Sequence, residues 1–213
     1  MADDARPLAP QPPLAAPARV PLSIEAFEAA LHAGAFAHME NRVELARGEV
    51  VAMPMDGARH ISGAHKLMMA WAPKLALDAR LAERVALYLP GSIRLTSNTA
   101  RAPDALLCPP GIYEREGRWP EARECLLAVE FSDTTLRYDE GEKRPEYAAA
   151  GLPELWIVRL AHGDVRVCRE PREDGGWGVE TLIRGDGLLS PLAAPELAIP
   201  ANALFDQLQP TPS

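Results

Sequence analysis

Nothing in the 213-residue chain approaches the roughly 18 consecutive apolar residues of a bilayer-spanning helix. The opening residues carry Asp3 and Asp4 followed by prolines, with neither the basic nor the apolar region of a secretory signal. A cytoplasmic protein without membrane association is the expectation. Cysteine is scarce: Cys108, Cys125 and Cys168 are odd in number, far apart and form no CxxC pair, which argues against a disulfide framework or a structural zinc site. Three free thiols in a reducing compartment fit that count. Lysine is as scarce, with only Lys66, Lys74 and Lys143. The dominance of arginine, with abundant Ala and Pro, matches a GC-rich bacterial coding bias. There is no nucleophile elbow, no P-loop and no GxGxxG pattern, and no repeat with a period of about 20–50 residues.

What is present describes a folded globular chain: 47% apolar residues, 24% charged residues and a formal charge of −8. An acidic balance excludes a dedicated non-specific nucleic-acid binder unless a local basic patch overrides it. Residues 1–20 hold five prolines between Pro7 and Pro17 and read as a flexible tail, as do residues 209–213. The span 21–208 reads as one domain.

Ser23 is placed to cap a helix from Ile24 to about His32, stopped near Gly34. Arg42–Met53 alternates around Ala46–Gly48 as a β-hairpin. A long helical pattern covers about His60–Ala82, with Leu67, Met68, Trp71, Leu75 and Leu77 as its apolar stripe and Pro73 as its expected kink. Strands are expected at Arg84–Leu89, Ser92–Leu95, Asp104–Cys108 and Cys125–Phe131, with a loop over Pro109–Arg123. A helix then runs to about Ala150, with Gly151 and Pro153 as stop signals. Leu155–Leu160 reads as a buried strand, Asp164–Arg169 and Gly178–Ile183 as an antiparallel pair, and Ala201–Leu208 as a last helix. The fold class is α/β: a central mixed β-sheet flanked by helices, with extra β-hairpins, in which the strand–helix–strand unit from Cys125 to Leu160 joins two parallel strands.

Glu130 stands out because it ends an apolar strand, where a carboxylate is unfavourable unless paired, hydrogen-bonded or bound to a cation. A solvated strand end is the plain alternative. Asp104 leads another apolar strand, where it either caps the preceding turn or converges with Glu130. Two converging carboxylates suit a hard divalent cation, and Mg²⁺ takes one or two of them plus waters and phosphate oxygens. Lys143, on the helix after the Glu130 strand, either forms a surface pair with Asp139 or points at the carboxylates. Pro145 places it near a helix start or kink.

These residues fall in an order that resembles the Uma2 family: Pro103-Asp104; Val129-Glu130-Phe131-Ser132; Arg137 through Lys143; and Tyr147 through Val158 with its Gly151-Leu152-Pro153-Glu154-Leu155-Trp156 core. The hairpin Val43-Glu44-Leu45 to Gly48-Glu49-Val50, Met53-Pro54 and His60 agree too. The likeness covers about residues 22–208. That family (also DUF820, endonuclease-like) belongs to the PD-(D/E)XK nuclease-like superfamily. The resemblance implies a restriction-endonuclease-like core, Mg²⁺ or Mn²⁺ held by Asp104 and Glu130, and Lys143 as the catalytic lysine. In the general signature the lysine lies two positions after the acidic residue. Here that position is Ser132, and the lysine has moved to the next helix.

Supporting roles are expected of Glu44, His60 and Ser132, with Glu49 a further acidic residue that would approach the site. His60 and His65 diverge by about 140° on a helix and form no metal pair; Ser132 would meet a ligand or cap a turn, and Tyr147 and Trp156 read as core. The leading function is a Mg²⁺-dependent endonuclease hydrolysing DNA phosphodiesters through activated water, with Arg94, Arg101, Arg137 and Arg144 as candidates for a basic groove or a partner delivering DNA. The alternatives are a non-catalytic interaction module of this fold, including a homodimer, and a metal-dependent hydrolase of a small phosphorylated substrate.

Overall fold

The hairpin near the N-terminus turns through Arg47 and Gly48, both at positive φ (53° and 83°), the backbone that two-residue hairpin turns require. A side chain on Gly48 would collide with Pro21, so glycine also lets the preceding segment lie against the turn. The computed structural model describes residues 19–39 and 42–205. The tail expectations for residues 1–18 and beyond 205 lie outside them.

Helix α1 (Ile24–His32) begins where Ser23 accepts a hydrogen bond from the Ala26 amide, the expected cap. Strands β1 (Val43–Ala46) and β2 (Glu49–Ala52) form the hairpin. Helix α2 (Ala58–Leu77) passes through Pro73 without ending there. The interruption comes instead at Asp78, whose carboxylate caps the short α3 (Ala79–Ala82) by accepting from the amides of Arg80 and Leu81. Competition of a side-chain carboxylate for backbone donors is why Asp starts helices rather than continuing them. Within the anticipated stripe Leu67 and Trp71 are buried, whereas Leu77 is exposed.

Strands β3 (Ala86–Tyr88), β4 (Ile93–Thr96), β5 (Thr99–Arg101) and β6 (Ala105–Cys108) follow. β5 has no counterpart in the sequence reading, because three residues after a tight turn carry too little periodicity. The expected loop over 109–123 contains helix α4 (Ile112–Arg115). Next come β7 (Leu127–Ser132), α5 (Leu136–Tyr138), a π-helical turn over Asp139–Lys143, α6 (Arg144–Ala149) and β8 (Glu154–Arg159). The wide turn lies immediately before Pro145, which lacks an amide hydrogen and crowds the carbonyl four residues back; a π turn relieves both. β9 (Asp164–Pro171) and β10 (Trp177–Arg184) form the long hairpin, and β11 (Leu188–Leu189) pairs with β12 (Ile199–Pro200). Among the described residues the last helical segment is a single 3-10 turn, Ala201–Leu204; the end of the helix expected over Ala201–Leu208 lies outside them.

The principal sheet has the order β10-β9-β8-β7-β6-β3; its one parallel pair is β7–β8, across the α5–α6 connection. The smaller sheet is β2-β1-β5-β4. Strand alternation divides β7 between two cores. Leu127, Val129 and Phe131 join Leu67 and Trp71 of α2, while Ala128 faces Tyr147 and Ala148 of α6. Helices therefore cover both faces, as a mixed sheet with an apolar central strand demands. Glu130 shares the α6 face by the same alternation. All three cysteines are buried and unbridged, with Cys108 and Cys125 sulfurs 3.7 Å apart. Among the described residues no helix is long and apolar enough to cross a membrane.

Candidate active site

Ala105 pairs with Val129 across the antiparallel β6–β7 ladder, so Asp104, one residue before β6, lies beside Glu130 at the same end of the sheet. The Phe131 amide donates to Asp104 Oδ2 at 2.7 Å, fixing one carboxylate to the neighbouring strand. Helix α2 comes close enough to reach Asp104 because its next turn carries Gly63: a Cβ there would stand 2.7 Å from the Phe131 ring. One turn earlier, His60 Nε2 lies 2.9 Å from Asp104 Oδ2. Arg42, just before β1, donates to Asp104 Oδ1 at 3.1 Å. Burial opposes charge on Asp104, but His60, Arg42 and the Phe131 amide outweigh it and hold its carboxyl below the usual range. The His60 imidazole is raised in return; burial works against its charge and Asp104 prevails.

Glu130 has a different environment. Lys143 Nζ lies 3.1 and 3.2 Å from its two oxygens, and the Tyr147 hydroxyl donates to Oε1 at 2.8 Å. Burial, against the pull of Lys143 and together with the negative Asp139, Asp104 and Glu44, pushes its pKa up to about 8. Lys143 itself is 1% exposed. It also pairs with Glu44 Oε1 at 3.1 Å and with Asp139 Oδ1 at 3.6 Å, and these carboxylates overcome burial to raise its pKa, so it carries charge at neutral pH.

Two further layers hold this arrangement. Glu44 accepts from the Ala102 amide and from Arg101; burial disfavours its charge, but Lys143 and Arg101 keep its pKa low. Arg101 is itself buried, bonded to Glu44, Glu146 and the Tyr138 hydroxyl. Ser132 and Thr135 donate to Asp139 Oδ2 at 2.7 and 2.6 Å, anchoring the π turn to the end of β7. Asp139 and Lys143, four residues apart on one face, both point inward and are buried.

Asp104, Glu130 and Lys143 thus come together, with Glu44 and His60 in direct contact with them and Ser132 one bond removed. The Asp139–Lys143 pair is interior, not on the surface: both residues are buried. Glu49 does not approach the site. It is exposed and pairs with Arg19, because it sits at the hairpin turn, away from the β1 position that faces Lys143. The proposed basic groove is also corrected. Arg101 is an interior ion, Arg94 is tied to Glu25 and Glu28, and Arg144 to Glu180; Arg137 alone of the four is exposed. Arg42, Asp139 and the hydroxyl of Tyr147 went unrecognised as site residues. Helical spacing puts Asp139 and Tyr147 on the face of Lys143, but whether that face is buried is not visible in sequence, and Arg42 signals nothing until it meets Asp104.

A cavity of about 30 Å³ is lined by Arg42, His60, Asp104, Glu130, Asp139 and Lys143 among others, room for one or two waters or an ion. Among the described residues there is no group of three or more His, Cys, Asp and Glu arranged as a metal site. Two carboxylates with water and substrate oxygens completing the shell is nevertheless a normal magnesium arrangement. Asp104 and Glu130 both line this water-sized space, so the donor set fits a divalent cation.

The Uma2 family model, described as "Putative restriction endonuclease", matches residues 25–202. Among solved structures, a "putative nuclease belonging to DUF820" from Anabaena variabilis ATCC 29413 superposes with a TM-score of 0.63 and 14% identity, over 86% of this chain and 97% of that one. At that identity the likeness is one of fold. No curated protein matches the chain.

Proposed function

Because the chain belongs to the Uma2 family, we propose that it is an endonuclease that hydrolyses DNA phosphodiester bonds with a divalent cation, Mg²⁺ or Mn²⁺. The observation that carries this reading is the convergence of Asp104, Glu130 and Lys143 on one small solvent-reached cavity. Asp104 and Glu130 would hold the ion. When bound, it supplies Lewis acidity toward the phosphate and a more acidic water.

The remaining work falls to the chain's own groups. Lys143 is held charged by three carboxylates, which suits it to offset negative charge growing on the phosphate and not to remove a proton from water. His60 and Arg42 orient the Asp104 carboxylate, and Tyr147 orients that of Glu130. Glu44 and Asp139 keep the ammonium of Lys143 in place.

Plasmid and single-stranded DNA incubated with Mg²⁺ or Mn²⁺ test the reading, using wild type, Glu130→Gln and Lys143→Met, each verified as folded by circular dichroism. Metal-dependent cleavage lost in both variants supports it. Cleavage that persists unchanged in either variant, or none by the wild type, overturns it and favours a non-catalytic module.

A further inference from the structure

We propose that the groove beside this site receives an unstacked nucleobase adjoining the phosphate that an ion held by Asp104 and Glu130 would bind, which makes unpaired nucleic acid the preferred substrate. This deepens the phosphodiesterase reading and rests on it. The groove encloses about 390 Å³, within the roughly 300–1,000 Å³ typical of small-molecule sites. Ile61, Ala64, His65 and Met68 form one wall; they recur at three- and four-residue spacing, so they share one face of α2. Leu89 and Pro90 also line it. Its inner end is made of Arg42, Asp56, His60 and Asp104, which line the smaller cavity too. A phosphate on an ion at the carboxylates would therefore leave its neighbouring nucleoside at the groove's entrance.

The chemistry of the walls favours a base over a phosphate. Among the described residues Arg42 is the one Lys or Arg in the lining, and Asp104 already engages it. The walls instead offer apolar surface, the His65 ring for stacking and the Asp56 carboxylate for a base edge. Ile61 is 58% exposed there. Since Arg94, Arg101 and Arg144 are committed to carboxylates, recognition through base faces compensates for weak phosphate tracking. Base faces are open only in unpaired strands or after flipping.

The test is fluorescence polarisation at low salt without divalent ions, so turnover plays no part. The probes are hexathymidylate, its abasic counterpart with the same phosphates, hexauridylate and a short duplex. Wild type should bind hexathymidylate about tenfold or more tightly than the abasic strand, in keeping with base–side-chain stacking, and more tightly than duplex. Ile61→Asp should abolish that preference. Leu77→Asp, at an 88% exposed position on the same helix but outside the groove, should keep it. Equal binding of normal and abasic strands, tighter binding of duplex, or a preference that survives Ile61→Asp overturns the proposal. Hexauridylate reports whether the base comes from RNA as well as DNA. A base preference in a protein that cuts nothing would leave the groove assigned and remove the nuclease reading; cleavage without a base preference would do the reverse.

Discussion

The Lys143 ammonium lies 3.1 and 3.2 Å from the two carboxylate oxygens of Glu130, joining the π turn to the central strand in a place almost closed to water. Removing one partner of a buried ion pair leaves the other uncompensated, a loss of about 3–5 kcal/mol. Lys143→Met should lower stability by about that much in urea titrations at pH 8. The loss should shrink as pH falls below about 8, where Glu130 takes up a proton. Adding Glu130→Gln should recover much of it, since the double variant removes one of the stranded carboxylates.

Glu130 also sets a pH dependence. Its folded pKa is raised from 4.5 to about 8, so the stability it contributes is fully present below about pH 4.5 and is lost as pH rises through 8. His60, raised from 6.5, adds a loss of the same sign above that value. In metal-free protein, Glu130→Gln should therefore flatten the decline in melting temperature between pH 5 and 8 without removing the share due to His60. Mn²⁺ should restore stability to the wild type at pH 8 and do so less for the variant. A wild type and variant with parallel pH curves would contradict this account of Glu130.

Arg101 is an internal strut. It meets Glu44, Glu146 and the Tyr138 hydroxyl with its side chain fully buried. Arg101→Met should destabilise by about 3–5 kcal/mol by stranding Glu44, whereas Arg137→Ala, at an exposed position, should change stability by less than about 0.5 kcal/mol. Chemical denaturation of the two variants checks the contrast.

Gly63 fixes the distance between α2 and β7. A methyl group would stand 2.7 Å from two carbons of the Phe131 ring, so Gly63→Ala should overpack the interface by about 1–3 kcal/mol. It should also pull His60 from Asp104. The histidine's NMR titration should then move down toward 6.5, a shift that thermal stability alone would not reveal.

The sequence by itself determined the elements whose signals are local. Ser23 caps its helix, Arg47-Gly48 turns the hairpin, Gly151 stops α6 (φ +78), and the apolar run of β7 could only be a buried strand. It also singled out Asp104, Glu130 and Lys143 as candidates, through carboxylates beside apolar neighbours, a scarce lysine and the resemblance of their order to the Uma2 family. Tertiary structure alone decided the rest. Asp78 proved a stronger helix breaker than Pro73 because its carboxylate competes for amides at a position where α2 leaves the core. Arg101 became an interior ion because β5 pairs with β1 and faces α6, an alignment that no pattern within three residues encodes. The charge state of the site is tertiary for the same reason. Burial and the distances among four carboxylates and their cations set it, and those carboxylates come from β1, β7, the π turn and the residue leading β6, segments that are distant in sequence.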